Sequence, residues 1–303
     1  PNALEALSSY PYTSHDDERM KMYRPTIRAM EGSFRENKDS EFVSEFWKRI
    51  GMITRCNPIQ IMHEENQLNH QSFIEQYRKV LEYITNSHKT ESLLDDRFDV
   101  IIGSITYALR LFSEISDNNI GNGILGRYAI RTIIEILIIL KYLLKRENEH
   151  PAIWEEYKLY GISKYKLVLL KARENELEET SHFVPPLVDM LVNEIKWEEF
   201  IDVDLKYFDR QGIREKSIEV GEKYLFDLFY DYDSSFAHGL WGAVREASML
   251  KCDNASHQYH IVPDIFGVQN LPDVKADCRS VMMRLLDLLK QNYEIPETLM
   301  ILE

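Results

Sequence analysis

Two segments of the chain carry polar side chains at spacings that could do chemistry. In the first, Arg127, Arg131 and Glu135 follow one another at intervals of four residues within the strongly apolar stretch GRYAIRTIIEILIILKYLL, residues 126–144. Four residues is slightly more than one helical turn, so all three side chains would project from one side of a helix. A buried charge without a partner is costly. The pattern therefore predicts either an internal Arg–Glu pair that fixes the register of the helix or an anion-binding arginine oriented by Glu135.

The second segment is YDYDSSFAHG, residues 230–239. If it is helical, Tyr230, Ser234 and His238 lie one turn apart on the same face. Imidazole exchanges protons near neutral pH, and a neighbouring hydroxyl group can hold one of its tautomers. Two interpretations stay open: a histidine in the core that is hydrogen-bonded to Ser234, or a histidine that belongs to a site.

Histidines and cysteines elsewhere give little sign of a metal site. The segment HEENQLNH differs from a zinc-protease helix, because the position four after His63 is Gln67 rather than histidine. A further set of four potential zinc ligands is Cys252, His257, His260 and Cys278. Their spacing is not that of a recognised zinc motif.

The chain also lacks the phosphate-binding, dinucleotide-binding and serine-hydrolase motifs. We expect no metal and no cofactor.

Composition limits the partners. The chain has 303 residues, 44% of them hydrophobic, and a formal charge of −14. Such a surface on average repels nucleic acid and anionic membranes, so binding of RNA would require a local basic patch. The three cysteines are widely spaced and indicate no disulfide framework, which fits a reducing cytoplasm. Charged residues interrupt the most apolar window, 130–144, which indicates a buried helix rather than a membrane span.

Apolar residues recur at helical spacing in most of the chain, and no hairpin signal joins alternating runs, so strands are not expected. The predicted helices are a stripe from Phe42 to Ile53, another from Phe73 to Ile84, a helix through 96–116 that ends at NNIGNG, a helix from about Ile124 to Arg146, and a final helix over roughly 273–292. Pro185-Pro186 and residues 251–273 are predicted to be irregular. We therefore predict an all-α protein, with an N-terminal helical region at 1–90 and a helical bundle with its C-terminal helix at 91–303.

The two polar segments together resemble a bacterial domain-of-unknown-function family, number 5677. Arg131, Thr132 and Glu135 fit its R-T-x-x-E element inside an apolar helix. Its second element, Tyr-x-Tyr-x-Ser-x3-His followed by Gly or Pro, is matched by Tyr230, Tyr232, Ser234, His238 and Gly239. The resemblance covers roughly residues 95–250.

Members of that group are similar to HEPN domains, which are compact helical bundles that often dimerise, and many of which are metal-independent ribonucleases of phage-defence and toxin systems. The resemblance implies an HEPN-like fold in which His238 assists proton transfer at the ribose 2′-hydroxyl and Arg131, oriented by Glu135, stabilises charge on the phosphate. It also implies substrate-binding roles, carried by Arg127, Tyr230, Tyr232 and Ser234. The chain departs from the HEPN pattern because no arginine lies four to six residues before His238.

Three functions remain open at this point. The first is a metal-independent endoribonuclease or toxin-type effector of a bacterial defence system, which would bind RNA at a local patch. The second is a non-enzymatic interaction protein whose Arg, Glu, Ser and His network is structural and whose apolar surface forms a homo-oligomer or binds a partner protein. The third is a sensor of small ligands, in which the arginine pair holds a phosphate or carboxylate.

Overall fold

We describe the protein from a computed structural model. The described residues are 3–13, 17–36, 54–63, 68–88, 95–174, 182–194, 208–254, 257 and 260–299. The chain divides into two compact units. The smaller unit comprises Pro1–Glu64 and Gly239–Pro272, and the larger unit comprises Glu65–His238 and Asp273–Glu303. This division falls at different positions from the border that we expected near residue 90.

The protein is an all-α helical bundle with one small sheet, as predicted for its fold class. In chain order the elements are α1 (Ala3–Ser9), a 3-10 turn (Tyr10–Tyr12), α2 (Met20–Glu36), β1 (Pro58–Ile59), α3 (His70–Ser87), α4 (Asp96–Asp117), α5 (Ile124–Arg146), α6 (Ile153–Glu174), α7 (Pro185–Asn193), α8 (Ile213–Glu219), α9 (Lys223–Leu225), a π-helical turn (Phe226–Tyr230), α10 (Asp231–Ala237), α11 (Trp241–Ser248), β2 (Met249–Cys252), β3 (Ile261–Pro263), α12 (Lys275–Asn292) and a 3-10 turn (Glu297–Leu299). None of the helices in the described ranges is long and apolar enough to cross a membrane.

Helix α5 lies at the centre of the larger unit. It packs against α4, α8, α10 and α12. Its core face is formed by apolar side chains that are almost completely buried, namely Ile130, Ile133, Ile134, Leu137 and Ile138. Burying one such side chain contributes about 1.5–3 kcal/mol, so this stripe is a major part of the hydrophobic stabilisation. The predicted bounds, Ile124 to Arg146, are confirmed.

The apolar stripes of α3 and α12 also enter this core. The stripe of α3 consists of Phe73, Tyr77, Val80, Leu81 and Ile84, and that of α12 includes Val281, Leu285, Leu288 and Leu289. Helix α3 therefore belongs to the larger unit rather than to the N-terminal region where we placed it. The stripe predicted from Phe42 to Ile53 lies outside the described residues.

Two predictions of irregular structure were wrong. Pro185 and Pro186 begin helix α7 instead of a loop, because proline is well tolerated in the first turn, where its missing N–H would have no helical partner. Within 251–273, the end of β2 and all of β3 belong to an antiparallel sheet of order β1-β2-β3. These strands have only two to four residues each, which is too short for an alternating pattern to be recognised.

The N-terminus of α5 is held by a close approach of backbone to backbone. A Cβ atom placed on Gly126 would lie 2.5 Å from the carbonyl oxygen of Gly121, in the turn that ends α4. Such a contact is far shorter than van der Waals distance, so the turn and the helix can meet only because residue 126 is glycine. This contact holds the first turn of α5 in place, next to Arg127, the first charged residue of the polar side.

Replacing Gly126 with alanine is expected to lower the free energy of unfolding by about 1–3 kcal/mol, because the new methyl group must displace the turn. Gly103→Ala is the matched control, since a Cβ there would meet nothing within 4 Å in the middle of α4. Alanine at that position should stabilise the helix by about 0.5–1 kcal/mol. Urea denaturation followed by circular dichroism measures both changes. Equal effects of the two substitutions would contradict the steric explanation.

Candidate functional site

The polar side of α5 meets α10 in a network centred on Arg131. The Arg131 Nε donates to the Ser234 hydroxyl at 2.9 Å, and an Nη atom donates to the Tyr230 hydroxyl at 2.7 Å. The other Nη atom lies 3.2 Å from the Glu135 carboxylate. Tyr230 donates its own proton to Glu135 at 3.1 Å, which closes the ring of contacts. The predicted spacing on each helix therefore does place these four side chains together.

The local structure of the chain explains this meeting. A π-helical turn ends at Tyr230 and α10 continues directly from it, so Tyr230 and Ser234 lie one turn apart and both face α5. The guanidinium of Arg131 also lies 4.6 Å from the centre of the Tyr230 ring. Cation–π attraction adds to the hydrogen bonds, because the positive charge lies over the negative face of the ring.

Arg127, one turn before Arg131, is buried beside a different set of groups. Its Nε lies 3.9 Å from the carboxylate of Asp233, and the two side chains are only 6% and 2% exposed. Its guanidinium lies 5.8 Å from the Tyr232 ring centre and 5.7 Å from that of Phe236. Sequence reasoning missed Asp233, although a carboxylate next to Ser234 in the second segment was a usable signal. The buried positive charge of Arg127 therefore lies next to the negative charge of Asp233, as the high cost of an unpaired buried charge requires.

His238 is exposed and lies outside the Arg131 network. It caps the C-terminus of α10, where its backbone N–H donates to the Ser234 carbonyl. Within the described part of the chain, its imidazole makes no hydrogen bond to Ser234 or Arg131. The direction of α10 gives the reason: Tyr128, near the start of α5, bonds the Phe236 carbonyl, whereas Arg131 bonds Ser234 and Tyr230. The helices run in opposite directions, so His238 lies beyond Arg131 by about one turn. The interpretation of a core histidine bonded to Ser234 is therefore wrong.

Residues 98–257 match a family of unknown function, DUF5677, over more than half of the chain. The chain belongs to this family. The predicted membership is confirmed, and the DUF5677 match contains both polar segments. No curated protein and no solved structure matches the chain.

A cavity of about 500 Å³ lies on the α6 side of the network in this DUF5677 protein. Its lining consists of Glu135, Ile139, Tyr157, Lys158, Tyr160, Gly161, Ile162, Tyr165, Phe208 and Lys216. Glu135 is the single expected site residue among them. Burial, and to a lesser extent the charge of Glu135, raises the pKa of Tyr157, so this phenol stays protonated at neutral pH. Neither Arg127 nor Arg131 lines this cavity.

A separate cluster of sulfur and imidazole groups lies in the smaller unit. Its members are Cys56, Cys252, His257 and His260, and their potential ligand atoms all lie within 4.8 Å of one another. Sequence reasoning considered Cys278 as the fourth member, but that residue is completely buried in α12 of the larger unit. Cys56 was missed because it is far away in the sequence and carries no motif. Desolvation and the neighbouring Cys252 raise the pKa of the Cys56 thiol.

Changing Tyr230 to phenylalanine tests the Arg131 network. The substitution keeps the ring, which stacks on Phe226 at 4.9 Å, and removes only the hydroxyl that bonds Arg131 and Glu135. We expect a loss of about 1–3 kcal/mol in the free energy of unfolding, because charged partners lose hydrogen bonds. Chemical denaturation measures it. The control, Tyr224→Phe, changes an exposed tyrosine and should stay within about 0.5 kcal/mol. If Tyr230→Phe leaves the free energy of unfolding unchanged, the network contributes nothing to stability.

Proposed function

We propose that this protein is a non-enzymatic interaction module, in which the network between α5 and α10 is structural. One observation carries the proposal: each of the three guanidinium nitrogens of Arg131 has a partner within the protein, on Ser234, Tyr230 and Glu135. An arginine that binds a phosphate needs donors directed at the ligand, usually two in parallel. Here those positions are used to hold two helices together.

The burial of the second arginine supports the same proposal. Arg127 is 6% exposed, next to Asp233 and two aromatic rings. A phosphate would have to displace these contacts and compete with a buried carboxylate, which is electrostatically unfavourable. Removing one member of such a pair would leave an uncompensated charge in the core. Both arginines therefore suit a role in stabilising the bundle better than one in binding substrate.

The surface next to this network supplies a candidate interface. Leu125, Tyr128 and Tyr232 are exposed apolar or aromatic side chains, and we call them the apolar face. Tyr128 and Tyr232 are neighbours through Phe236, since Tyr128 bonds its carbonyl and the Tyr232 ring packs on its ring at 5.4 Å. Leu125 lies three residues before Tyr128 on α5, and so on the same side of that helix. Tyrosine is enriched in protein interfaces because it is large and rigid and has a polar end. The partner that we propose is a second copy of the chain, as the resemblance to HEPN domains suggests.

Substituting Leu125 with aspartate should convert a dimer to a monomer, because a charge would be buried where the apolar faces of two copies meet. Light scattering after size-exclusion chromatography, over a range of concentrations, measures the mass. Met190→Asp is the control, since it adds the same charge at an equally exposed position on α7. It should leave the dimer unchanged. A wild-type protein that stays monomeric at every concentration would refute self-association.

Ribonuclease activity is the second candidate, and one observation favours it. The His238 imidazole is exposed, and the side chain of Arg131 keeps 24% of its surface accessible. In an HEPN-like reaction, His238 would remove the proton of the ribose 2′-hydroxyl while a cation stabilises the phosphate. Because Arg131 and His238 are separated within one chain, the missing positive charge would have to come from a second copy.

Incubation with total RNA, without added divalent metal, separates the two candidates. If the interaction module is correct, the wild-type protein and His238→Ala will both leave the RNA intact. His150→Ala is a matched control, because it removes another exposed histidine, whose ring lies 2.8 Å from the Glu156 carboxylate. Cleavage that is lost in His238→Ala and kept in His150→Ala would establish the ribonuclease and contradict a non-enzymatic role.

A further inference from the structure

We propose that Cys56, Cys252, His257 and His260 form a structural Zn²⁺ site in the smaller unit. The donor set is two sulfur atoms and two imidazole nitrogens, which is a common set for a closed tetrahedral zinc site. This proposal is independent of the interaction function, because none of the four residues lies in the larger unit.

Three sulfur–nitrogen distances in the cluster are those of a tetrahedron around zinc. The sulfur of Cys56 lies 3.5 Å from Nδ1 of His257 and 3.4 Å from Nδ1 of His260. The sulfur of Cys252 lies 3.6 Å from the same His257 nitrogen. With zinc–sulfur bonds of about 2.3 Å and zinc–nitrogen bonds of about 2.0–2.1 Å, a tetrahedral angle separates sulfur and nitrogen by about 3.6 Å. The observed separations match this edge length.

The small sheet brings the four ligands together from two distant parts of the chain. Strand β1 pairs with β2 so that Pro58 is opposite Cys252, which places Cys56 next to the end of β2. Strands β2 and β3 form a hairpin in which the Cys252 N–H bonds the His260 carbonyl. His257 lies in the hairpin turn, where its N–H bonds the Asn254 carbonyl. The hairpin of β2 and β3 thus supplies Cys252, His257 and His260, and the segment before β1 supplies Cys56.

Neighbouring groups orient the ligands as they do around metal ions. The Thr54 hydroxyl lies 2.5 Å from Nε2 of His257, so it can accept the proton on that nitrogen and leave Nδ1 unprotonated toward the sulfurs. The Asn57 N–H lies 3.3 Å from the Cys252 sulfur and donates to it, which would stabilise a thiolate. Partners of this kind fix the tautomer of a ligating histidine and the charge of a ligating cysteine.

A cluster held by hydrogen bonds alone explains this geometry less well. Nδ1 of His257 faces the sulfurs of both Cys56 and Cys252, and the Cys56 sulfur also faces Nδ1 of His260. A ring nitrogen has at most one proton to donate and one lone pair to accept with, whereas a cation attracts the lone pairs of all four groups at once. All four tetrahedral positions are filled by protein, so no position is open for a substrate, and the role is structural rather than catalytic.

The test uses the full chain, produced in zinc-supplemented medium and purified without chelator. Elemental analysis should find one zinc per chain in the wild-type protein and in Cys278→Ser, which removes the buried thiol outside the cluster. The same analysis should find a loss of at least tenfold in Cys56→Ser and His260→Asn, whose side chains are exposed and whose loss should not disrupt the core. Co²⁺ exchanged into the wild-type protein should show the intense visible absorption of tetrahedral coordination and a sulfur-to-cobalt charge-transfer band.

Other results would overturn the zinc site or replace it with another structure. Wild-type protein without stoichiometric zinc, or zinc retained equally in Cys56→Ser, would overturn the proposal. A Cys56–Cys252 disulfide in freshly purified, metal-free protein, detected by mass spectrometry without reduction, would replace it with a redox pair. Circular dichroism of each variant checks the helical signal of the larger unit, so that loss of zinc is not confused with general unfolding.

Discussion

The charge of Arg131 needs partners at the contact between α5 and α10, and the hydrogen bonds that supply them hold these two helices together. Arg131 lies on the polar side of α5, and its charge must be compensated where this helix meets its neighbour. Glu135 supplies part of this compensation from the same helix, and Tyr230 and Ser234 supply the rest from the next layer. Any shift of α10 by one residue would remove both hydroxyls. The polar contacts therefore fix the register of two helices whose apolar faces alone would allow several.

The Arg131 network gives a physical meaning to the two polar segments that lie within the DUF5677 match. The R-T-x-x-E element and the Tyr-x3-Ser part of the second element are the two halves of one network. Tyr230 both accepts from Arg131 and donates to Glu135, which explains why a phenol is used rather than a simple aromatic ring. Residue types that often take part in catalysis can thus, when they recur at helical spacing, determine how two helices pack against each other. Each guanidinium nitrogen of Arg131 has a partner inside the bundle, on Ser234, Tyr230 or Glu135.

The smaller unit differs in the contacts that hold it together. Its hydrophobic cluster of described residues consists of Ala6, Met20, Tyr23 and Ile27, and its sheet has very short strands. Small folding units often use a metal or another cross-link, because a small core cannot easily offset the conformational entropy lost on folding. A zinc ion between Cys56 and the β2–β3 hairpin would connect segments that are distant in the chain. Closing so long a loop removes much of the freedom of the unfolded state.

Features that depend on local periodicity could be predicted from the residues alone. The helical class, the bounds of α5, the inward stripes of α3 and α12, and the shared face of Arg131 and Glu135 all follow from spacing along one helix. Which side chains meet across helices and strands depends instead on how these elements pack. The opposite direction of α10 moved His238 away from Arg131, and strand pairing brought Cys56 to Cys252, His257 and His260. Such contacts join residues far apart in the chain, and their register is set by packing that no local pattern encodes.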